Sequence, residues 1–334
     1  MPESRKVQIT GGSTYIVSLP KSWIVEKEVE AGDSLILAPQ EDGSIVVSPE
    51  REYEKKATVK EISTKGETQE SLIRSLIGTY MAGYSKIDIK DKNGIKPELR
   101  SAIMKFTRMV IGPEIVEESD NRIILKDLID PSEFSQRKGL RRMYLIVKKM
   151  HEDAIEAFMN SDFELARDVI ARDGDVDRLY WMITKHYNML LSNPRLVESL
   201  KISRERSLSY MLVSRAMERI GDHAARLAEN TLVLTGNFSN GLKDEIHEES
   251  QLSLDILEKS AEAFFSEDLK MANRTIDMRE KLEELNDRMM KDVKEEDKEN
   301  VTPLSYILES ISRTGSYATD ISEISINYIM SSSR

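Results

Sequence analysis

Carboxylates at helical spacing are the first residues in this sequence whose types and positions suggest chemistry. Asp173 and Asp177 are four apart, as are Glu218 and Asp222, and residues four apart share one face of an α-helix. Two such pairs on packed helices offer the oxygen donors that a hard divalent cation or iron takes. A plainer reading stands beside this one. Arg215 and Arg219 lie three residues before Glu218 and Asp222, and Arg226 lies four after Asp222, so the run also suits a ladder of exposed ion pairs. The second feature is a basic segment, RKVQITGGSTYIVSLPKSW, with Arg5, Lys6 and Lys21 and no acid nearer than Glu3. Gln8, Thr10, Ser13 and Thr14 add hydrogen-bonding groups, a set that suits phosphate contacts and some base reading. It suits equally a solvated strand edge, where lysine blocks edge-to-edge pairing.

The remaining reactive residue types are dispersed. His151, His186, His223 and His247 form no His-x-x-x-His pair, and His186, near Trp181 and Tyr187, reads as packed and not ligating. Met143 and Met150, like Met182 and Met189, are seven apart, the spacing of core-filling methionines on one helical face, and Met159 reads the same way. Cysteine is absent, which excludes disulfides, thiol catalysis and thiolate metal sites. No serine has a histidine and a carboxylate at recognisable catalytic spacing, and Gly66, Gly78, Gly83 and Gly94 are too isolated to cradle a phosphate. The expectation is a protein that is not an enzyme.

A chain of 334 residues is expected to hold more than one domain. Its 40% hydrophobic and 32% charged residues suit globular domains with ample core. A net charge of −11 argues against coating nucleic acid along the whole length, while leaving room for a local basic face. The start, MPESRKVQIT, lacks a signal-type apolar region, and no run of 18 apolar residues occurs, so the expectation is a cytoplasmic protein without membrane insertion.

Three kinds of pattern follow one another along the chain. Over residues 5–48, period-two alternation at Val7/Ile9, Tyr15/Val17, Leu35/Leu37 and Ile45/Val47 predicts short strands, with Gly11-Gly12 and Asp42-Gly43 as turns. Pro20 opens the helical segment KSWIVEKEVE, which Ala31-Gly32-Asp33 ends, so the unit reads ββαββ. Residues 54–130 read βαβαββ, with Asp120-Asn121 at the last turn, an order that suggests a small split βαβ sandwich. From about residue 135 the pattern is amphipathic helix, near 136–160, 162–190, 200–235, 242–265, 267–294 and 303–331. The segments 164–183 and 217–229 align with 270–289 and 311–323, pointing to a three-helix unit used twice.

Two resemblances sharpen this picture. RKVQITGGSTYIVSLPKSW, AGDSLIL and DGSIVVSP, in that order and spacing, resemble the SpoVT/AbrB and MazE family. The resemblance implies an intertwined, swapped-hairpin homodimer that lays a basic face on DNA, with Arg5, Lys6, Thr10, Ser13 and Lys21 as the contacts by position. So small a unit also buries too little surface alone. DGDVDRLY from Asp173 and RAMERIGDHAARLAEN from Arg215 resemble the PhoU family of phosphate uptake regulators. That resemblance implies two three-helix bundles bearing E-x-x-x-D metal motifs, kept here as Glu218 and Asp222, with Asp173 and Asp177 on the preceding helix. Ser312, Ser316, Arg279 and Glu283 stand at the corresponding positions of the second repeat. Hydroxyls are weak ligands and an arginine repels a cation, so one divalent metal or iron site at most is expected.

The fold class that follows is multidomain, α+β and all-α. An AbrB-type β domain spans 1–50, an α+β connector domain 51–133, and two tandem PhoU-like three-helix repeats 134–236 and 237–334. The expected function is regulation of phosphate uptake through DNA, with phosphate state sensed by the helical half. The alternative is an interaction module that contacts a phosphate transporter ATPase or a signalling kinase, its N-terminal part serving only as a dimer clamp.

Overall fold

The computed structural model describes residues 3–39, 43–50, 58–235 and 239–332. The chain divides into two compact units, 1–57 and 58–334.

In the first unit β1 (Gln8–Thr10) pairs antiparallel with β2 (Thr14–Ile16). Their loop holds Gly11 at φ 59° and Gly12 at φ 85°, backbone that glycine adopts without strain. After α1 (Lys21–Glu26), β3 (Leu35–Pro39) and β4 (Ile45–Pro49) form a second antiparallel pair. The order is the expected ββαββ, although Asp42 of the second turn lies outside the described residues. The helix is shorter than its pattern predicts. Glu28 takes left-handed backbone at φ 47°, and the Glu28 and Val29 amides donate back to the carbonyls of Val25 and Ile24. That double return is a Schellman cap, and it ends the helix before Ala31-Gly32-Asp33 is reached. Among the described residues of this unit only Pro49 is fully buried. Val7, Ile9, Tyr15, Val25, Leu37 and Ile45 are all more than 60% exposed, too much uncovered apolar surface for a unit that stands alone.

The second unit opens with β5 (Val59–Ser63), α2 (Gln69–Met81), β6 (Lys86–Lys90), α3 (Pro97–Met109), β7 (Pro113–Glu118) and β8 (Arg122–Asp127). Thr68 and Ser71 close a capping box at the start of α2, and Pro97 opens α3, where its missing N–H costs nothing. The sheet order is β5-β6-β8-β7, with β5 and β6 parallel and the other pairs antiparallel. A split βαβ unit would need a strand between β5 and β6. The β7–β8 hairpin instead pairs β8 to the far edge of β6, so the parallel strands stay adjacent. Leu72, Leu76, Tyr80, Ile87, Ile89, Phe106 and Leu125 fill the core between sheet and helices, and Met182 of the helical half joins them.

The helical half runs α4 (Gln136–Asn160), α5 (Phe163–Ser192), the short α6 (Pro194–Leu200), α7 (Arg204–Thr231), α8 (Asn240–Ser266), α9 (Leu269–Asp292) and α10 (Lys298–Ser332). Lys201 at φ 50° separates α6 from α7, and α10 begins ahead of Pro303, which lies within it. The internal repeat is visible in two details. Ser161 and Glu267 both take left-handed backbone, and the next residue of each, Asp162 and Asp268, caps α5 and α9 by accepting from two amides. Gly221 lets α7 pack close on Val176 of α5, where a β-carbon would press at 3.3 Å, and Gly315 lets α10 close on Leu282 of α9, where one would collide. A single apolar cluster runs through both repeats from Leu140 to Ile321. Among the described residues no helix is long and apolar enough to cross a membrane.

The α+β layers are fastened to α5. Lys185 forms an ion pair with Asp127 in which both side chains are at least 93% buried, and its ammonium lies 4.6 Å from the Tyr80 ring centroid. Burial pushes the Lys185 pKa down, against the opposing pull of Asp127. Asn188 donates to the Met81 carbonyl at 2.7 Å, and the Tyr80 hydroxyl lies 3.1 Å from the Met182 sulfur. Removing one member of a buried pair leaves an uncompensated charge, which costs about 3–5 kcal/mol. Lys185→Met should therefore lower the unfolding midpoint of the full chain in chemical denaturation, and adding Asp127→Asn should recover most of the loss. A single variant that unfolds with the parent would show that the pair contributes nothing to holding the layers together.

Candidate functional site

Packing of α5 on α7 brings the four predicted carboxylates to one patch. Gly221 lies where α7 approaches α5, and a β-carbon there would stand 3.6 Å from Asp173 Oδ1. Asp173, Asp177 and Glu218 are half-buried and Asp222 is open to solvent. Burial, then the charge of Asp222, pushes Asp173 up to about 6. Burial, then Asp173 and Asp222, pushes Asp177 up to about 6. Burial, then Asp222, pushes Glu218 up to about 7, and partial desolvation by the packed helices raises Asp222 as well, although it stands at the exposed rim. Like charges held this close disfavour one another's ionised forms. Asp173 also feels Glu229, an acid that the sequence reading omitted; its place seven residues after Asp222 puts it on the same helical face.

The salt-bridge ladder is realised only at its first rung. Arg215 donates to Glu218 Oε1 at 2.8 Å, while Glu218 Oε2 is buried with no hydrogen-bond partner. Arg219 lies over the Tyr317 ring and Arg226 over the Tyr306 ring, both on α10. Asp173, Asp177 and Asp222 form no ion pair among the described residues. Apart from Glu218 Oε1, held by Arg215, the donor set is therefore uncommitted, hard and anionic, and it fits a divalent cation or iron in kind. Among the described residues no three His, Asp or Glu side chains already stand as a closed ligand shell, so a bound ion would have to draw the carboxylates together.

His223 follows Asp222 in sequence but faces the other way, its Nδ1 3.4 Å from Ser310 Oγ and its ring against Tyr317. Burial, aided by Arg226, lowers its pKa to about 4, so it is neutral. His186 is packed as expected, although against Phe134 at 4.6 Å and not against Trp181 or Tyr187. Sequence spacing did not reveal a buried polar seam around His151, whose Nε2 meets Ser250 Oγ at 3.0 Å and whose Nδ1 meets Thr314 Oγ1 at 3.3 Å. Its members come from three helices and share no local pattern. In the second repeat Arg279, Glu283, Ser312 and Ser316 do converge, around a groove of about 360 Å³, and Arg279 donates to Glu283 at 2.7 Å.

In the first unit Arg5, Lys6, Thr10, Ser13 and Lys21 are all exposed. Arg5 and Lys6 precede β1, Thr10 ends it, Ser13 lies in the glycine loop, and Lys21 opens α1. Arg5 pairs with Glu3, the acid nearest the segment, while Lys6 and Lys21 have no ion-pair partner among the described residues.

Comparison with known proteins gives the chain its relatives. The PhoU domain profile matches twice, over residues 140–231 and 246–325, together more than half of the chain. The profile for "Antidote-toxin recognition MazE, bacterial antitoxin" matches residues 8–55. A phosphate-specific transport system accessory protein PhoU homolog of Pseudomonas aeruginosa is 27% identical over 136 residues, covering 40% of this chain and 53% of the relative. PhoU homolog 1 of Thermotoga maritima is 32% identical over 101 residues, 30% of this chain and 41% of the relative. The chain thus spans about half the length of the curated relatives it matches. Among solved structures, PhoU from Pseudomonas aeruginosa superposes with a TM-score of 0.53 at 20% identity, over 59% of this chain and 96% of that one. The phosphate transport system regulatory protein PhoU from Streptococcus pneumoniae does so with 0.51 at 21% identity, over 58% and 92%. With two profile matches on the two three-helix repeats, and a MazE-type unit fused in front, the chain belongs to the PhoU family.

Proposed function

We propose that this protein regulates phosphate uptake by binding DNA through its N-terminal unit, as a homodimer, under control of the helical half. The observation that carries the reading is the joining, in one chain, of a PhoU fold that keeps four carboxylates on one face of its first repeat to a MazE-type unit. The uncovered apolar residues of that unit, among them Ile9, Tyr15 and Leu37, support pairing with a second copy. Arg5, Lys6 and Lys21 supply the phosphate contacts, and Thr10 and Ser13 add hydrogen bonds beside them. A net charge of −11 confines DNA binding to this face, since the rest of the chain repels the duplex.

In this reading the helical half senses phosphate state through a cation, or through a partner such as a transporter ATPase or a signalling kinase. Asp173, Asp177, Glu218 and Asp222 hold the cation, which neutralises their repulsion and draws α5 toward α7. Lys185 and Asn188 further along α5 seat the α+β layers, so a shift of this helix carries into them. Such coupling requires the cation to bind the two states of the protein with different affinity.

Two outcomes follow. Replacing Arg5 and Lys6 by alanine should weaken binding to DNA upstream of phosphate transporter genes and flatten its salt dependence, by about one unit of slope per lost contact. Unchanged slope and affinity would leave the N-terminal unit a dimer clamp and favour regulation by protein contact alone. Metal analysis and calorimetry on untagged protein should find one cation site that Glu218→Ala with Asp222→Ala abolishes. Because the carboxylates hold their protons up to about pH 6–7, affinity should rise between about pH 5 and about pH 8 as competing protons leave. Without cation the sign for stability is opposite: these acids bind protons more tightly when folded, so stability falls as pH climbs from about 4, where the unfolded chain releases them, to about 6–7, where the folded chain does. Metal retained by the double variant would move the site elsewhere.

A further inference from the structure

At the positions that correspond to the four carboxylates of the first repeat, the second has Arg279, Glu283, Ser312 and Ser316, and a groove lies among them. The groove, of about 360 Å³, runs between α9 and α10, lined by Arg279, Glu283, Asn286 and Met290 from one helix and by Tyr306, Glu309, Ser312, Arg313 and Ser316 among others from the second. That volume lies at the small-molecule end of ligand sites. Arg279 and Arg313 approach it from opposite walls. Each is engaged only through Nε, by a glutamate on its own helix: Arg279 with Glu283 at 2.7 Å, Arg313 with Glu309 at a loose 3.9 Å. These are exposed intrahelical pairs, which exchange readily with other anions. The terminal guanidinium nitrogens of both arginines have no protein partner among the described residues, and neither has the Ser312 hydroxyl. By contrast the Ser316 hydroxyl is occupied, donating to the Ser312 carbonyl at 3.1 Å.

We propose that this groove binds a tetrahedral oxyanion of the phosphate class, free or as the phosphoryl end of a small molecule, between Arg279, Arg313 and the Ser312 hydroxyl. Guanidinium forks match such oxygens in geometry and in charge. The carboxylate of Glu283 already shows an oxyanion seated on Arg279 and acts as a built-in competitor. Asp320 and Glu323 also act on Arg279 from nearby, so selectivity rests on directed hydrogen bonds and not on an overall positive field. Asn286, whose amide donates to the buried Glu249 at 2.8 Å and to the Leu308 carbonyl at 3.2 Å, keeps its Oδ1 as an acceptor for a protonated phosphate oxygen. Met290 and Tyr306, the latter stacked under Arg226, also line the groove and offer an organic part surface to pack on. The site is distinct from the cation site proposed for the first repeat and does not depend on it.

The test is calorimetric titration of the full chain with inorganic phosphate, sulfate and phenyl phosphate, in buffer stripped of divalent cations so that the first repeat cannot capture the anion through a metal. Saturable binding is expected for at least one of the three. Arg279→Ala and Arg313→Ala should each weaken it roughly tenfold or more, the loss of a charged hydrogen-bonding partner. Glu283→Gln should tighten it by freeing Arg279, and Glu218→Ala with Asp222→Ala should leave it unchanged. Arg279, Glu283 and Arg313 are exposed, so unaltered thermal unfolding is expected of their variants; for Glu218→Ala with Asp222→Ala, a retained cooperative unfolding transition would confirm that the variant folds. Phenyl phosphate binding more tightly than inorganic phosphate would identify an ester as the ligand; equal affinity would identify the free oxyanion. No saturable binding of any probe, or binding indifferent to both arginine variants, overturns the proposal.

Discussion

The buried ion pair of Lys185 with Asp127 sets the geometry on which the rest of residues 58–334 depends. It pins the end of β8 to α5, and α5 carries Asp173 and Asp177 nearer its start. One rigid helix therefore serves the sheet and the carboxylate patch together. A charge pair without access to water is costly to assemble and costlier to break, so α5 cannot slide freely under the α+β layers. Neighbouring contacts reinforce the point: Gln136 donates to the Ile183 carbonyl at 3.1 Å and accepts from Ser207 at 2.8 Å, fastening α4 and α7 to the same stretch of α5.

Against that fixed frame the carboxylate patch is a deliberate strain on stability. Half-burying three acids with a fourth at their rim raises all four pKa values, and packing alone does not demand it. The second repeat proves the point within the same chain. It keeps the cap at Asp268 and the close approach at Gly315, yet at the four equivalent positions it carries one arginine, one glutamate and two serines. Fold and surface chemistry have diverged independently. The repeats share one apolar core while offering two surfaces of different charge character.

Much of this was legible in the sequence because it is local. Amphipathic period set out the six long helices, and the alignment of 164–183 and 217–229 with 270–289 and 311–323 set out their repetition. The pairs at Asp173/Asp177 and Glu218/Asp222 could be placed on helix faces from spacing alone, and their convergence followed once two helices pack. What could not be read was long-range or conformational. Lys185 and Asp127 lie 58 residues apart, and nothing about an isolated lysine in a helical run marks it as buried. Glu28 ends α1 by adopting a left-handed backbone that its residue type does not favour. The adjacency of β5 and β6 was decided by where the β7–β8 hairpin docks, a tertiary choice that strand patterns leave open. Arg313 and Asn286 escaped attention because their role depends on facing Arg279 across a groove and not on any motif.

The central claim is that the helical half controls the DNA affinity of the N-terminal unit. The most direct measurement is DNA affinity of the full-length protein at fixed ionic strength, with and without a divalent cation, for the parent chain and for Asp173→Asn with Asp177→Asn. Cation should change the parent's affinity and leave that of the variant unchanged. Equal affinity in all four conditions, with DNA still bound, would contradict the claim: the two halves would then be joined in sequence without being coupled in function.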